Sequence, residues 1–282
     1  MTQKFSPTVR RRRLGAELRR LRERAGLTLE QAARHIDSSH SRLSRIETAQ
    51  LGIKAPDLRA LLDLYQVVPE EREKLVALAR EARQRGWWHV YRDTVPEWFE
   101  VYVGLESEAA GLGIYESQFV HGLLQTEEYA RAMYRAGVPP LPEEEVEKHI
   151  RLRMERQALV VEQALRLRVV LDEAVVRRAI GGKKVLIGQL QHLLQVADLP
   201  NVSLQVLPFE AGAVVLSPFT ILDFPDPEDH SVIYIEHQAG ASYAERPAEV
   251  RNCSLIFDSL RAAAWSPAQS AQFIADLVKE MT

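Results

Sequence analysis

The sequence predicts two domains of different class. One is an all-α amino-terminal domain of five short helices over residues 1–85; the other is an α+β carboxy-terminal domain with a mixed or antiparallel sheet over 111–282. An aromatic-rich connector over 86–110 is expected between them. Three observations lead there. Apolar residues keep helical spacing through five successive segments up to Arg85, whereas alternating runs of strand type interleave with helical ones later in the chain. Charge divides at the same place, with 19 basic against 11 acidic residues up to Arg85 and 17 against 28 after it. A length of 282 residues also suits two domains at about 100–200 residues each.

The helices follow in order. Leu14, Leu18, Leu21 and Ala25 recur at helical spacing and Gly26 ends the run. Thr28 with Gln31 forms a capping box for a second helix, whose inner face is Leu29, Ala32, Ala33 and Ile36. After a bend at Asp37–Ser38, Ser39 caps a third helix held inward by Leu43 and Ile46. Leu58, Leu61, Leu62 and Tyr65 mark a fourth, entered through Pro56, and Leu75, Leu78 and Ala79 a fifth.

Two short helices joined by a tight turn form a helix-turn-helix, which offers the first turn of its second helix to the major groove of double-stranded DNA. His40, Ser41 and Arg45 then point outward, with Arg42 and Ser44 on the flanks, so His40, Ser41, Arg42 and Arg45 are the expected base readers. Arg45 can fork to guanine, and His40 and Ser41 can donate or accept at several base edges. Thr28, Ser39 and Ser44 are placed for backbone contacts. A serine nucleophile activated by His40 fits poorly, because adjacent helical residues point about 100° apart and no oxyanion-type glycine loop follows. Arg10, Arg11, Arg12 and Arg13 stand ahead of the first helical run. They read either as a solvated arm or as an arm that neutralises phosphates or enters a minor groove; beside this motif DNA contact is favoured.

The stretch "LRERAGLTLEQAARHIDSSHSRLSRIETA" resembles the phage-repressor (Cro/C1, or XRE) type of helix-turn-helix, over roughly Leu14 to Tyr65. That resemblance implies that Arg22 pairs with Glu47 and clamps the first helix to the third. Glu47 is therefore expected to be structural. Asp37 stands where the family often has glycine, a mild departure because Asp tolerates turn geometry.

The stretch "GWWHVYRDTVPEWFEVYVG" holds three of the four tryptophans without a clear helical period. Such density can stack bases, but with few basic residues nearby it is expected to glue one domain to the next. Beyond it, strands are expected at Gly113–Val120, Leu165–Leu171, Val202–Leu207, Phe219–Phe224 and Ser231–His237. Helices are expected at Glu143–Gln163, Glu173–Ile180, Val185–Ala197, along Val250 to Ala264, and after a Ser266–Gln269 cap. The one cysteine, Cys253, lies in an apolar helical pattern and reads as a buried small hydrophobe.

"YESQFVHGLLQTEEYARA", "VVLDEAVVRRAIGG", "LPNVSLQVLPFEAG" and "SPFTILDFP" resemble the domain of unknown function that follows a repressor-type helix-turn-helix in many actinobacterial regulators, the WhiJ type among them. In that group the position of His121 usually carries proline. The resemblance implies gene regulation, often with a small protein partner encoded nearby in an antitoxin-like arrangement. It supplies no chemistry.

No enzyme is expected. The histidines of the second half are scattered without ligand spacing, and no glycine-rich phosphate loop occurs. Asp172 and Glu173 read as a helix cap and a residue favouring its positive end rather than as catalytic carboxylates. Neither a metal nor a cofactor is expected. Gly122, Gln125 and Thr126, in a turn after the first strand, form the candidate loop for a small-molecule effector or partner, with the "LPFEAG" loop beside it. No apolar run approaches a membrane span and no secretory signal opens the chain, so a cytoplasmic DNA-binding regulator, acting as a homodimer, is the expectation. The competing expectation is an antitoxin-like protein that sequesters a small polypeptide.

Overall fold

The computed structural model describes residues 7–83, 86–162, 165–212, 217–227 and 229–282. It divides into two compact units, Met1–His89 and Val90–Thr282. Arg85, where the sequence places its boundary, and Gln163, where it ends a helix, lie outside the described residues.

The first unit contains α1 (Pro7–Arg24), α2 (Leu29–His35), α3 (His40–Glu47), α4 (Ala55–Leu64) and α5 (Pro69–Glu81). One buried cluster runs through all five, from Leu14, Leu18 and Leu21 of α1 through Leu43 and Ile46 of α3 to Leu75 of α5. Helix α1 starts at Pro7, about two turns before the apolar spacing that opens at Leu14. Val9 is 2% exposed and carries the buried stripe back beyond Leu14. Arg10 to Arg13 are consequently not an arm: they are half-buried residues of α1, and Arg10 pairs with Glu81 of α5 at 3.2 Å.

The second unit is α+β. A short 3-10 helix, Trp87–Tyr91, runs from the first unit into the second and leads towards α6 (Glu97–Glu106), so the stretch expected as a connector holds a helix. Then follow β1 (Gly111–Glu116), α7 (Glu127–Ala136), α8 (Glu143–Val161), β2 (Arg166–Asp172), α9 (Glu173–Arg177), α10 (Lys183–Ala197) and β3 (Val202–Leu207). The chain closes with β4 (Phe219–Asp223), β5 (Val232–His237), β6 (Gly240–Ala244), α11 (Pro247–Ala263) and α12 (Pro267–Met281). The six strands are ordered β3-β2-β1-β4-β5-β6. The first three are parallel, joined through helical crossovers, and β4, β5 and β6 add antiparallel, so the sheet is mixed.

Strand parity assigns the two faces. Tyr115, Ile221 and Ile233 pack with Phe257 and Leu260 of α11. Gly113 is small for a reason: an added Cβ would stand 3.0 Å from the Phe257 ring. Cys253 sits partly buried on α11, less enclosed than its sequence pattern suggests, and burial pushes its thiol up. The outer edge of β3 is covered. Val206 N–H donates to Ser270 Oγ at 2.9 Å and its carbonyl accepts from Trp265 N–H at 3.0 Å, which leaves that stretch of edge without an open ladder. The opposite face of β1 carries Leu112, Ile114 and, at the strand's end, Glu116.

Candidate functional site

The amino-terminal site is built from caps and a clamp. Gln31 N–H donates to Thr28 Oγ1 at 3.2 Å while Thr28 N–H donates to Gln31 Oε1 at 2.8 Å, closing the capping box that opens α2. The chain leaves α2 through Asp37 at φ 49°, a left-handed conformation that Asp tolerates better than most residues. Ser39 Oγ then accepts from Arg42 N–H at 3.2 Å and starts α3. Leu43 and Ile46 are 0% and 2% exposed, so one face of α3 is fixed to the core.

His40, Ser41 and Arg45 are exposed on the other face. Ser41 and Arg45 stand four apart in one row, and His40 and Ser44 in the next. Ser44 is half-buried and its carbonyl accepts from Thr48 Oγ1. Thr28 and Ser39 are exposed, with their hydroxyls engaged in the caps. Arg42 departs from the outward set. Its guanidinium donates to Ser38 Oγ at 3.1 Å and to Asp57 of α4 at 2.9 Å, which turns it away from base reading and into a brace across the turn.

Arg22 and Glu47 meet as a two-pronged pair, Nε to Oε1 at 2.8 Å and Nη2 to Oε2 at 2.9 Å, with Arg22 Nη1 also donating to the Leu27 carbonyl. Their side chains are 9% and 3% exposed. The pair ties the last turn of α1 to the last turn of α3. Hydrogen bonding to Glu47 holds the Arg22 guanidinium above its ordinary pKa. Gly15 brings the same two helices together from the other side, since a Cβ there would fall 2.7 Å from the Glu47 carbonyl oxygen.

The carboxy-terminal turn is a dense hydrogen-bonded knot. Gly122 starts a 3-10 turn, Gly122–Leu124, and Gln157 Nε2 donates to the carbonyls of Gly122 and Gln125. Thr126 caps α7 by accepting from Tyr129 N–H at 3.2 Å, and its own N–H donates to the buried Gln189. Gln125, 1% exposed, donates to the Val120 carbonyl and accepts from Arg153. His121 Nδ1 accepts from Leu123 N–H, which places the ring proton on Nε2, facing the Tyr102 hydroxyl at 3.2 Å. Burial, then Arg156 and Arg153, pushes His121 down to about 3. It is a neutral structural residue.

Gly122 and Gln125, two residues of the expected effector loop, border a cavity of about 650 Å³ between the sheet and helices α6, α7 and α8. Thr126 and residues 208–212 of the "LPFEAG" loop do not line it. Arg156 crosses its floor with Nε and Nη2 each 2.7 Å from one oxygen of Glu106, the two side chains 3% and 0% exposed. Glu116, 8% exposed, also lines the cavity, and its Oε2 finds no partner among the described residues. Burial, and then the Glu236 carboxylate, pushes it up to about 8. Asp172 and Glu173 do not belong to this site: Asp172 Oδ1 accepts from Ala174 N–H as a cap, and Glu173 holds Arg177 and the Phe209 N–H.

Among the described residues no three potential ligand side chains gather as a metal site, and no helix is long and apolar enough to cross a membrane. Residues 99–276 match a family model described as Domain of unknown function (DUF5753), and residues 13–75 match one described as Helix-turn-helix domain. No curated protein and no solved structure matches the chain.

Proposed function

Because the chain belongs to the family of this domain of unknown function and carries a helix-turn-helix domain, a DNA-binding fold, ahead of it, we propose that it is a sequence-specific transcription regulator. In this reading α3 enters the major groove of double-stranded DNA, Arg45 reads a base, and His40 and Ser41 supply the neighbouring contacts. The observation that carries it is α3 itself: capped by Ser39, fastened by Leu43, Ile46 and the Arg22–Glu47 pair, and polar and exposed at His40, Ser41 and Arg45.

The protein acts as a homodimer on this reading, without cofactor or catalytic step, in the cytoplasm on the nucleoid. Paired heads require operator half-sites about 10 bp apart or a multiple of that. The carboxy-terminal unit serves as the sensor, and the cavity beside Gly122 and Gln125 favours a small molecule over a polypeptide partner as the signal. Sequencing genomic fragments retained by the protein tests the reading. A recurrent motif lost in Arg45→Ala supports it, whereas equal retention of all fragments by both proteins refutes it.

A further inference from the structure

We propose that the cavity of the carboxy-terminal unit binds a small organic cation, an amine on an aromatic body, with its charged nitrogen against Glu116. The proposal rests on the sensor reading above and names what is sensed.

Part of the charge around the cavity is already neutralised within the protein. Arg156 spends two nitrogens on Glu106. The Nε–Nη2 edge of Arg156 is therefore closed to an anion by Glu106. Arg153 donates from its terminal nitrogens to Gln125 and to the Tyr134 hydroxyl, while its buried Nε finds no partner among the described residues. Glu116 is enclosed, lines the cavity and leaves an oxygen without a hydrogen bond, and with Glu236 it sets two carboxylates against Arg153, the lining guanidinium that Glu106 does not neutralise. A buried acceptor in that state costs free energy until a donor arrives.

Sheet register adds a second carboxylate. Ile114 pairs with Thr220 and Thr220 with Tyr234, one cross-strand row on this face. The next row on the same face, two residues along each strand, is Glu116, Pro218 and Glu236. The two carboxylates therefore stand two strands apart, about 10 Å between backbones, with Glu116 deep and Glu236 exposed at the mouth. Tyr102 of α6 and Tyr129 of α7 also face Glu116, both with pKa values raised by burial.

The walls suit a cation with a flat body. Trp98, Phe99, Tyr102 and Tyr234 form a continuous row, with ring centroids 5.8, 5.7 and 4.2 Å apart in that order. The row already receives one cation, since Arg156 lies 5.1 Å from the Phe99 centroid and 5.5 Å from that of Tyr102. A second cation opposite Glu116 would use the same attraction. The volume is within the range that holds one small organic molecule.

The test is calorimetric titration of the full chain with 2-phenylethylamine, its uncharged analogue 2-phenylethanol and its anionic analogue 3-phenylpropionate. The amine is expected to bind with saturation and about tenfold or more tighter than either analogue. Its heat should vary with the ionisation enthalpy of the buffer, because Glu116 gives up a proton to meet the cation. Glu116→Gln should cost the amine about tenfold or more. Glu236→Gln, at an exposed position where the amide oxygen can still accept from the Tyr234 hydroxyl, should cost about two- to fivefold. The proposal is overturned if either analogue binds as tightly as the amine, if Glu116→Gln leaves the amine's affinity unchanged, or if millimolar amine gives no saturable heat. Retardation of a duplex by the same preparation separates the two readings. Amine binding that leaves duplex affinity unchanged sinks the sensor role and keeps the site; intact duplex binding with no amine heat sinks the site and keeps the DNA reading.

Discussion

Replacing Glu47 by Gln tests whether the amino-terminal unit depends on its clamp. The substitution keeps the shape and one acceptor oxygen, but it removes the charge and turns an amide N–H₂ towards a guanidinium that can only donate. Arg22 would then keep its charge at a site 9% exposed, with the Leu27 carbonyl at 2.9 Å and Glu23 at 3.7 Å as remaining company. Breaking a buried ion pair from one side costs about 3–5 kcal/mol. The partners left to Arg22 put this case at the lower end, about 3 kcal/mol, or about 12–24 °C in the melting temperature of a unit this size. Hydrogen exchange of the α3 amides in the full chain reads the local free energy directly, without assuming that both units unfold together. Restoring neutrality and apolar volume with Arg22→Met and Glu47→Leu together should recover most of the loss. A loss below about 1 kcal/mol in Glu47→Gln would show that the pair is bystander geometry and that the hydrophobic contacts of Leu43 and Ile46 alone hold the reading helix.

Other outcomes follow from the same geometry. Gly15→Ala should destabilise the first unit although alanine favours helices by about 1 kcal/mol, because its Cβ would lie 2.7 and 2.8 Å from backbone carbonyl oxygens that cannot rotate away; a raised melting temperature would refute this. Arg45→Ala should cost about 1–3 kcal/mol on the operator and relax one base position, whereas Arg42→Ala should lower stability and leave base preference intact, both read by binding to a randomised duplex pool. Glu106→Gln should cost about 3–5 kcal/mol in denaturant unfolding of the second unit, since it strands Arg156 at 3% exposure. Glu116, with a folded pKa of about 8, keeps its proton in the native state where the unfolded chain has lost it, so its contribution is complete below about pH 4 and declines as pH rises to about 8. His121, held near 3, has the opposite sign: its contribution is present above about pH 6.5 and is lost as pH falls towards 3. The stability difference between wild type and Glu116→Gln should accordingly change with pH between about 4 and 8, and a flat difference refutes the buried acid.

How much of this was legible depends on how far apart the cooperating residues lie. Thr28 with Gln31, Ser39 with the Arg42 amide, and Ser266 with Gln269 close within three residues, so local spelling was enough to place α2, α3 and α12. Helix α6 was hidden because Tyr102 to Glu106, its second half, are buried without interruption, and a segment enclosed on all sides has no apolar period to read. Strand β6, "GASYA", carries glycine and small residues and is placed by pairing with β5. The fates of charged residues were the least legible. Arg42 finds Asp57 and Arg156 finds Glu106, contacts 15 and 50 residues apart that no local pattern encodes.

That withdrawal of charge bears on which cation of α3 is best placed for the proposed contact with DNA. Basic excess in a sequence says only that some cations face a polyanion. Folding then withdraws those that meet a carboxylate: Arg10 to Glu81, Arg19 to Glu23, Arg20 to Glu17 and Glu71, Arg22 to Glu47, Arg24 to Glu71, Arg34 to Glu30, Arg42 to Asp57 and Arg72 to Asp63. Arg45 is exposed on α3, and among the described residues no carboxylate reaches it. A guanidinium without an internal partner gives up little but water when it forks to a base, whereas Arg42 would first have to break two hydrogen bonds. The competition between internal carboxylates and DNA therefore leaves Arg45 as the cation of α3 with the lowest cost of engagement, and Arg45→Lys, which keeps the charge but loses the fork, should forfeit preference at one base while retaining affinity for random duplex. Full operator preference in that variant would show that charge alone is being read.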